Sequence, residues 1–116
     1  MKSAYLKFLA LVNDLEKRHE FQALDATEQY LLDHIAICDH KRDSTTLSKL
    51  MKIEKLGAPS TIHKKVLSLI DLGLVAQEFR LDNKKTKYLV LTEIANDHYE
   101  QLNDAMMLLL AEEEHF

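Results

Sequence analysis

The sequence is short of chain breakers, with two glycines and one proline in 116 residues. Little therefore interrupts helices, and the chain is expected to be mainly α. A single cysteine excludes an intramolecular disulfide framework and fits a reducing, cytoplasmic setting. Long hydrophobic runs are missing. The longest, Ala105 to Ala111, is far too short to cross a bilayer, so no membrane partner is expected. Lys7, Asn13 and Asp14 interrupt the apolar residues of the N-terminal segment, unlike a signal peptide. No Gly-rich phosphate loop, nucleophile elbow or paired-carboxylate arrangement is readable, so the chain is expected to be neither an enzyme nor a cofactor carrier.

Positive charge is scarce overall, with 15 Lys and Arg against 19 Asp and Glu. It is also concentrated. Residues 41–87 carry eleven Lys or Arg against five Asp or Glu, residues 1–40 carry four against seven, and residues 88–116 carry none against seven. A basic middle between acidic ends suggests one face built for a polyanion.

The apolar spacing predicts a helix over about 3–19, with Tyr5, Phe8, Leu9, Val12 and Leu15 on one face. Asp25 and Glu28 form a capping box that opens a second helix burying Leu31, Leu32, Ile35 and Cys38. Thr46 caps a short third helix with Leu47, Leu50 and Met51 inward. Gly57 ends what precedes it, and Pro59 suits the first position of a fourth helix reaching Leu72. Its inner face holds Ile62, Val66, Leu69 and Ile70, and Gly73 is its natural terminator. The period then changes. Residues 75–79 and 87–91 read as strands joined by a polar, basic tip in which Asp82-Asn83 supplies the turn chemistry. Thr92 and Glu93 open a last helix to about Glu114, with Ala95, Tyr99, Leu102, Met106 and Leu109 as its stripe.

A short helix pair followed directly by a basic hairpin is the arrangement that carries function. In helix-turn-helix binding the second helix enters the major groove with its N-terminal residues at the base edges. The candidate DNA-binding residues are Ser60, Thr61, His63, Lys64, Lys65 and Ser68 on the fourth helix, with Arg80, Asn83, Lys84, Lys85 and Lys87 on the hairpin. Hydroxyls and a lysine at a helix N-terminus suit phosphates and base edges together. Ser60 and Thr61 also suit simple capping, and the lysines a solvated surface.

The run APSTIHKKVLSLIDLGLV, residues 58–75, resembles the recognition helix and following strand of MarR-type winged helix-turn-helix regulators. The run DNKKTKYLVLTEIA, residues 82–95, is similar to their wing and the start of the next helix. With the flanking helices the resemblance covers nearly the whole chain. It implies a transcriptional regulator that binds double-stranded DNA as a homodimer, and it leaves a small-molecule effector open. It also implies one winged-helix domain over 1–116, with a DNA-binding core at 25–92 and dimerisation helices at 1–20 and 93–116. Asn83 and Lys85 fall where the family often has the wing's Asp and Arg, and Lys lacks the planar fork of Arg. Ala58 replaces a common hydroxyl cap, Ala95 a frequent Gly, and the stretch 51–56 is about two residues longer than usual.

Leu6, Leu11, Met107, Leu108 and Leu110 lie outside the stripes named above, and extra apolar surface on both end helices predicts burial against a second copy. His34, Cys38, Asp39 and His40 are the best metal candidates. They lack a second cluster with zinc spacing, so no metal is expected. Redox sensing through Cys38 requires an exposed, low-pKa thiol, whereas its place in the stripe argues for burial. The alternative function is a winged-helix protein–protein interaction module without DNA readout.

Overall fold

The structure is a computed structural model that describes residues 2–17, 19–81 and 83–113. Asp82 of the turn and Glu114 of the last helix lie outside the described residues. The helices are α1 (Lys2–Leu15), α2 (His19–Gln22), α3 (Ala26–His40), α4 (Leu47–Leu50), α5 (Pro59–Asp71) and α6 (Glu93–Glu113), and the strands are β1 (Val75–Arg80) and β2 (Asn83–Leu91). The chain divides into a unit of Leu24–Ala95 and a unit formed by its two ends, Met1–Ala23 with Asn96–Phe116.

In the central unit, local chemistry sets each boundary. The Glu28 amide donates to Asp25 Oδ1 at 2.8 Å and the Asp25 amide donates to Glu28 Oε1 at 3.0 Å, so the capping box opens α3. α4 is a single turn whose Lys49 amide donates to Thr46 Oγ1. Pro59 starts α5, where its missing N–H costs nothing. The helix closes on Gly73 at φ 79°. There the Leu74 amide reaches Leu69 O at 3.0 Å and the Gly73 amide reaches Ile70 O at 3.0 Å, a Schellman ending that turns the chain into β1.

The core of this unit is Leu31, Leu32 and Ile35 of α3, Leu50 of α4, Ile62, Val66 and Leu69 of α5, and Leu74, Val75, Leu89 and Ala95. Each large aliphatic side chain so buried contributes about 1.5–3 kcal/mol relative to exposure. The helices thereby lock α5 against α3, α4 and β1. β1 and β2 pair antiparallel, with Val75 opposite Leu91 and Phe79 opposite Lys87. The far edge of β2 is also occupied. Its Leu89 amide donates to Thr45 O at 2.9 Å, and its Leu91 amide to Asp39 Oδ2 at 3.2 Å. Thr45 before α4 thus covers one position on this edge, and the carboxylate from the last turn of α3 covers the next.

The sequence expectations need four adjustments. α1 ends at Leu15, and a separate turn, α2, follows. β2 begins at Asn83 rather than at Lys87. After the Phe79–Lys87 pair the register jumps so that Arg80 faces Asn83, which places Lys84, Lys85 and Thr86 in a bulge on β2. Cys38, expected inward, is half-buried near the end of α3. The stripes of α1 and α6 are only partly covered: Tyr5 is 63% exposed and Met106 40%, while Leu109 is buried.

In the unit of the two ends, Phe21 and His98 are buried and stack with ring centroids 3.8 Å apart. Among the described residues no helix is long and apolar enough to cross a membrane.

Candidate nucleic-acid interface

The direction of each α5 side chain follows from the turn of about 100° per residue in an α-helix. Ile62, Val66 and Leu69 point into the core. The opposite line is Ser60, Lys64, Leu67 and Asp71, all exposed, with Thr61 and His63 exposed toward either side and Ser68 half-buried. The cap residue, Ala58, has no side chain that can satisfy the first-turn amides, and neither hydroxyl of Ser60 or Thr61 does so. Among the described residues, the side chains of Ser60, Thr61, His63 and Lys64 make no hydrogen bond or ion pair within the chain. A helix N-terminus with free hydroxyls and a free ammonium can take anionic oxygens and base edges.

Lys65 is placed differently. It branches on the flank of α5 beside the core face, and its ammonium donates to Asp25 Oδ2 at the start of α3. That bond, helped by the Glu28 amide, holds the Asp25 carboxyl below its ordinary value, and the Asp25 carboxylate raises Lys65. Both groups are therefore charged at neutral pH.

The hairpin sorts its cations in the same way. The Arg80 guanidinium lies 4.9 Å over the Tyr88 ring and donates to Ser44 Oγ at 2.7 Å, and its Nε sits 3.6 Å from Glu78. Arg80 thus braces β1 across β2 to the segment before α4. The Asn83 carboxamide oxygen accepts from the Lys85 amide at 3.1 Å and the Thr86 amide at 3.3 Å, and its Nδ2 donates to Thr86 Oγ1 at 2.9 Å. These bonds hold the bulge and turn Lys84 and Lys85 outward, both exposed. Lys87, also exposed, has its ammonium 5.8 Å from the centre of the Phe79 ring.

Between the hairpin and the start of α4 lies an open groove of about 640 Å³ lined by Thr46, Leu47, Ser48, Gln77, Phe79, Lys84, Lys85, Thr86 and Lys87. Three ammonium groups and three hydroxyls on one groove match the chemistry of a polyanion backbone. Sequence reasoning picked out the lysines but neither the groove nor Leu67, which is 42% exposed on the outward line of α5. The spacing of three from Lys64 would have located Leu67. The groove unites residues some forty positions apart and has no local signal.

By sequence, no protein family and no curated protein matches the chain. By structure, the chain is similar to a MarR-like transcriptional regulator from Thermotoga maritima, with a TM-score of 0.64 at 19% identity, covering 99% of this chain and 81% of that one. It is also similar to RV1404 from Mycobacterium tuberculosis, with a TM-score of 0.55 at 16% identity, covering 98% of this chain and 76% of that one. The chain has the winged-helix fold of these MarR-like neighbours, mostly helical with the β1–β2 hairpin as the wing.

Proposed function

We propose that the chain is a transcriptional regulator that binds double-stranded DNA as a homodimer and carries out no catalysis. The observation that carries this reading is the set of exposed, partnerless lysines on a winged helix: Lys64 on α5, and Lys84 and Lys85 on the wing. The outward line of α5 enters a major groove, where Lys64 and the hydroxyls of Ser60 and Thr61 meet base edges and the flanking backbone, with His63 and Ser68 at the sides. Lys84, Lys85 and Lys87 take phosphates, and Asn83 shapes the bulge that presents them. Arg80 and Lys65 act through the fold, as braces of the wing and of α5.

The two end segments supply the dimer contact. Leu6, Leu108 and Met107 are 54%, 67% and 56% exposed in the single chain, and apolar surface of that kind favours burial against a second copy. Two copies then set their α5 helices in successive major grooves.

Selection from a pooled random-sequence duplex tests the reading. Enrichment of a related set of fragments supports a sequence-reading regulator. Retention without enrichment points to a sequence-blind architectural protein. No retention even at low salt points to a protein-interaction module, for which the exposed Phe79 and Leu81 of the wing are the natural contact.

A further inference from the structure

Lys64 and Lys65 are adjacent, yet the helix turn sends them to different surroundings. Lys64 is exposed on the line opposite the core, while Lys65 lies on the flank against the start of α3. Its partner Asp25 is fully committed. One carboxylate oxygen caps α3 through the Glu28 amide at 2.8 Å, and the other accepts from Lys65. The Glu28 carboxylate, itself held on the Asp25 amide, adds a second negative charge beside the ammonium. The positive end of the α3 dipole further favours a charged Asp25. The lysine is therefore paired at the surface, its side chain 27% exposed, on a carboxylate that also caps α3.

We infer that Asp25 withholds Lys65 from DNA, so that α5 meets the groove with Lys64 as its only outward ammonium, and that this pairing raises discrimination between sequences. The inference rests on the DNA-binding reading above. A lysine at the edge of a recognition helix would gain affinity from the phosphates of any sequence, and specificity is the difference between the right site and all others. With Lys65 paired, the outward line of α5 carries Lys64 against Asp71 and is close to neutral. The sequence-blind charge is then left to the wing.

The test uses the full chain with a random-sequence duplex across a salt series, comparing wild type, Lys65→Gln, Asp25→Asn and the double variant. Asparagine is as good a cap as aspartate, and with its oxygen on the Glu28 amide its other arm is a donor that cannot accept from Lys65. Lys65→Gln should leave the slope of log affinity on log salt unchanged. Asp25→Asn should steepen it by about 0.9 per copy, one phosphate's worth, tighten random-sequence binding, and reduce the preference for fragments enriched from the pool. The double variant should return to the wild-type slope. A slope made shallower by about 0.9 in Lys65→Gln alone would place Lys65 on a phosphate and overturn the inference. An unchanged slope in Asp25→Asn overturns it as well. Lys65→Gln leaves the cap intact, so the comparison survives even if Asp25→Asn does not fold. A wild type that binds no duplex defeats the DNA reading itself and the inference with it. A wild type that binds, with the wrong response in the variants, defeats the inference alone.

Discussion

One step along α5 turns a side chain by about 100°, and at that step a lysine with no internal partner gives way to one tied to Asp25. Residue type does not distinguish them. Lys64 and Lys65, like Arg80 and Lys85, were equivalent candidates in the sequence, because a basic residue reads the same whether its charge faces solvent or a carboxylate forty positions away. Outward direction was legible for Lys64 from the apolar spacing of Ile62, Val66 and Leu69. The partners Asp25 and Ser44 were not, since tertiary packing alone brings them near. Two substitutions separate the roles that remain. Lys64→Ala should weaken binding to enriched fragments and relax base preference by about 1–3 kcal/mol of discrimination. Lys85→Ala should weaken binding to all duplexes alike and reduce the salt slope by about 0.9 per copy. Competition titrations measure both effects, and equal losses on matched and random duplexes from Lys64→Ala would remove that residue from the base-reading set.

Elements with their own termination chemistry were readable in advance. The capping box of Asp25 and Glu28, Thr46 before α4, Pro59 and Gly73 around α5, and Thr92 before α6 all stand at the observed boundaries. In α6 the Ala95 amide donates to Thr92 Oγ1, which itself donates to Gly73 O at 2.6 Å. Elements whose form depends on pairing were less legible. The strand over 83–86 is polar and has no alternation, and the Asn83 carboxamide and a register shift give it its shape. α3 ends without the usual glycine. Its Schellman bonds, Asp43 amide to Cys38 O at 3.0 Å and Arg42 amide to Asp39 O at 3.1 Å, put Arg42 at φ 59°. A non-glycine residue there costs about 1–2 kcal/mol, partly offset because glycine is more flexible when unfolded. Arg42→Gly should therefore raise stability by about 0.5–1 kcal/mol. An unchanged or lower denaturation midpoint would show that the arginine side chain earns its strained position through contacts of its own.

At the scale of the whole molecule, the placing of charge and of apolar surface matters most. The basic stretch 41–87 lies in the unit Leu24–Ala95, whose full balance is eleven Lys or Arg against ten Asp or Glu, so its cations stand out by position rather than by net charge, and most of the acidic C-terminal stretch falls in the other unit. The fold was legible because each helix of the central unit has inward apolar residues and a start signal, in Asp25, Thr46 and Pro59. The surplus leucines and methionines of α1 and α6 were legible as surplus, and several remain exposed in the single chain. Leu6→Asp combined with Leu108→Asp should convert two copies into one on sedimentation, with the secondary structure retained. Two copies persisting in that variant would move the dimer contact elsewhere.

The central claim is that this winged helix holds duplex DNA through its wing lysines and α5. Its most direct test is the equilibrium affinity of the wild-type chain for an enriched duplex, measured across a range of salt concentrations. With Lys84, Lys85 and Lys87 on phosphates, log affinity should fall linearly with log salt, with a slope of magnitude about 3 per bound copy. A flat dependence, or no binding at the lowest salt, would contradict the account.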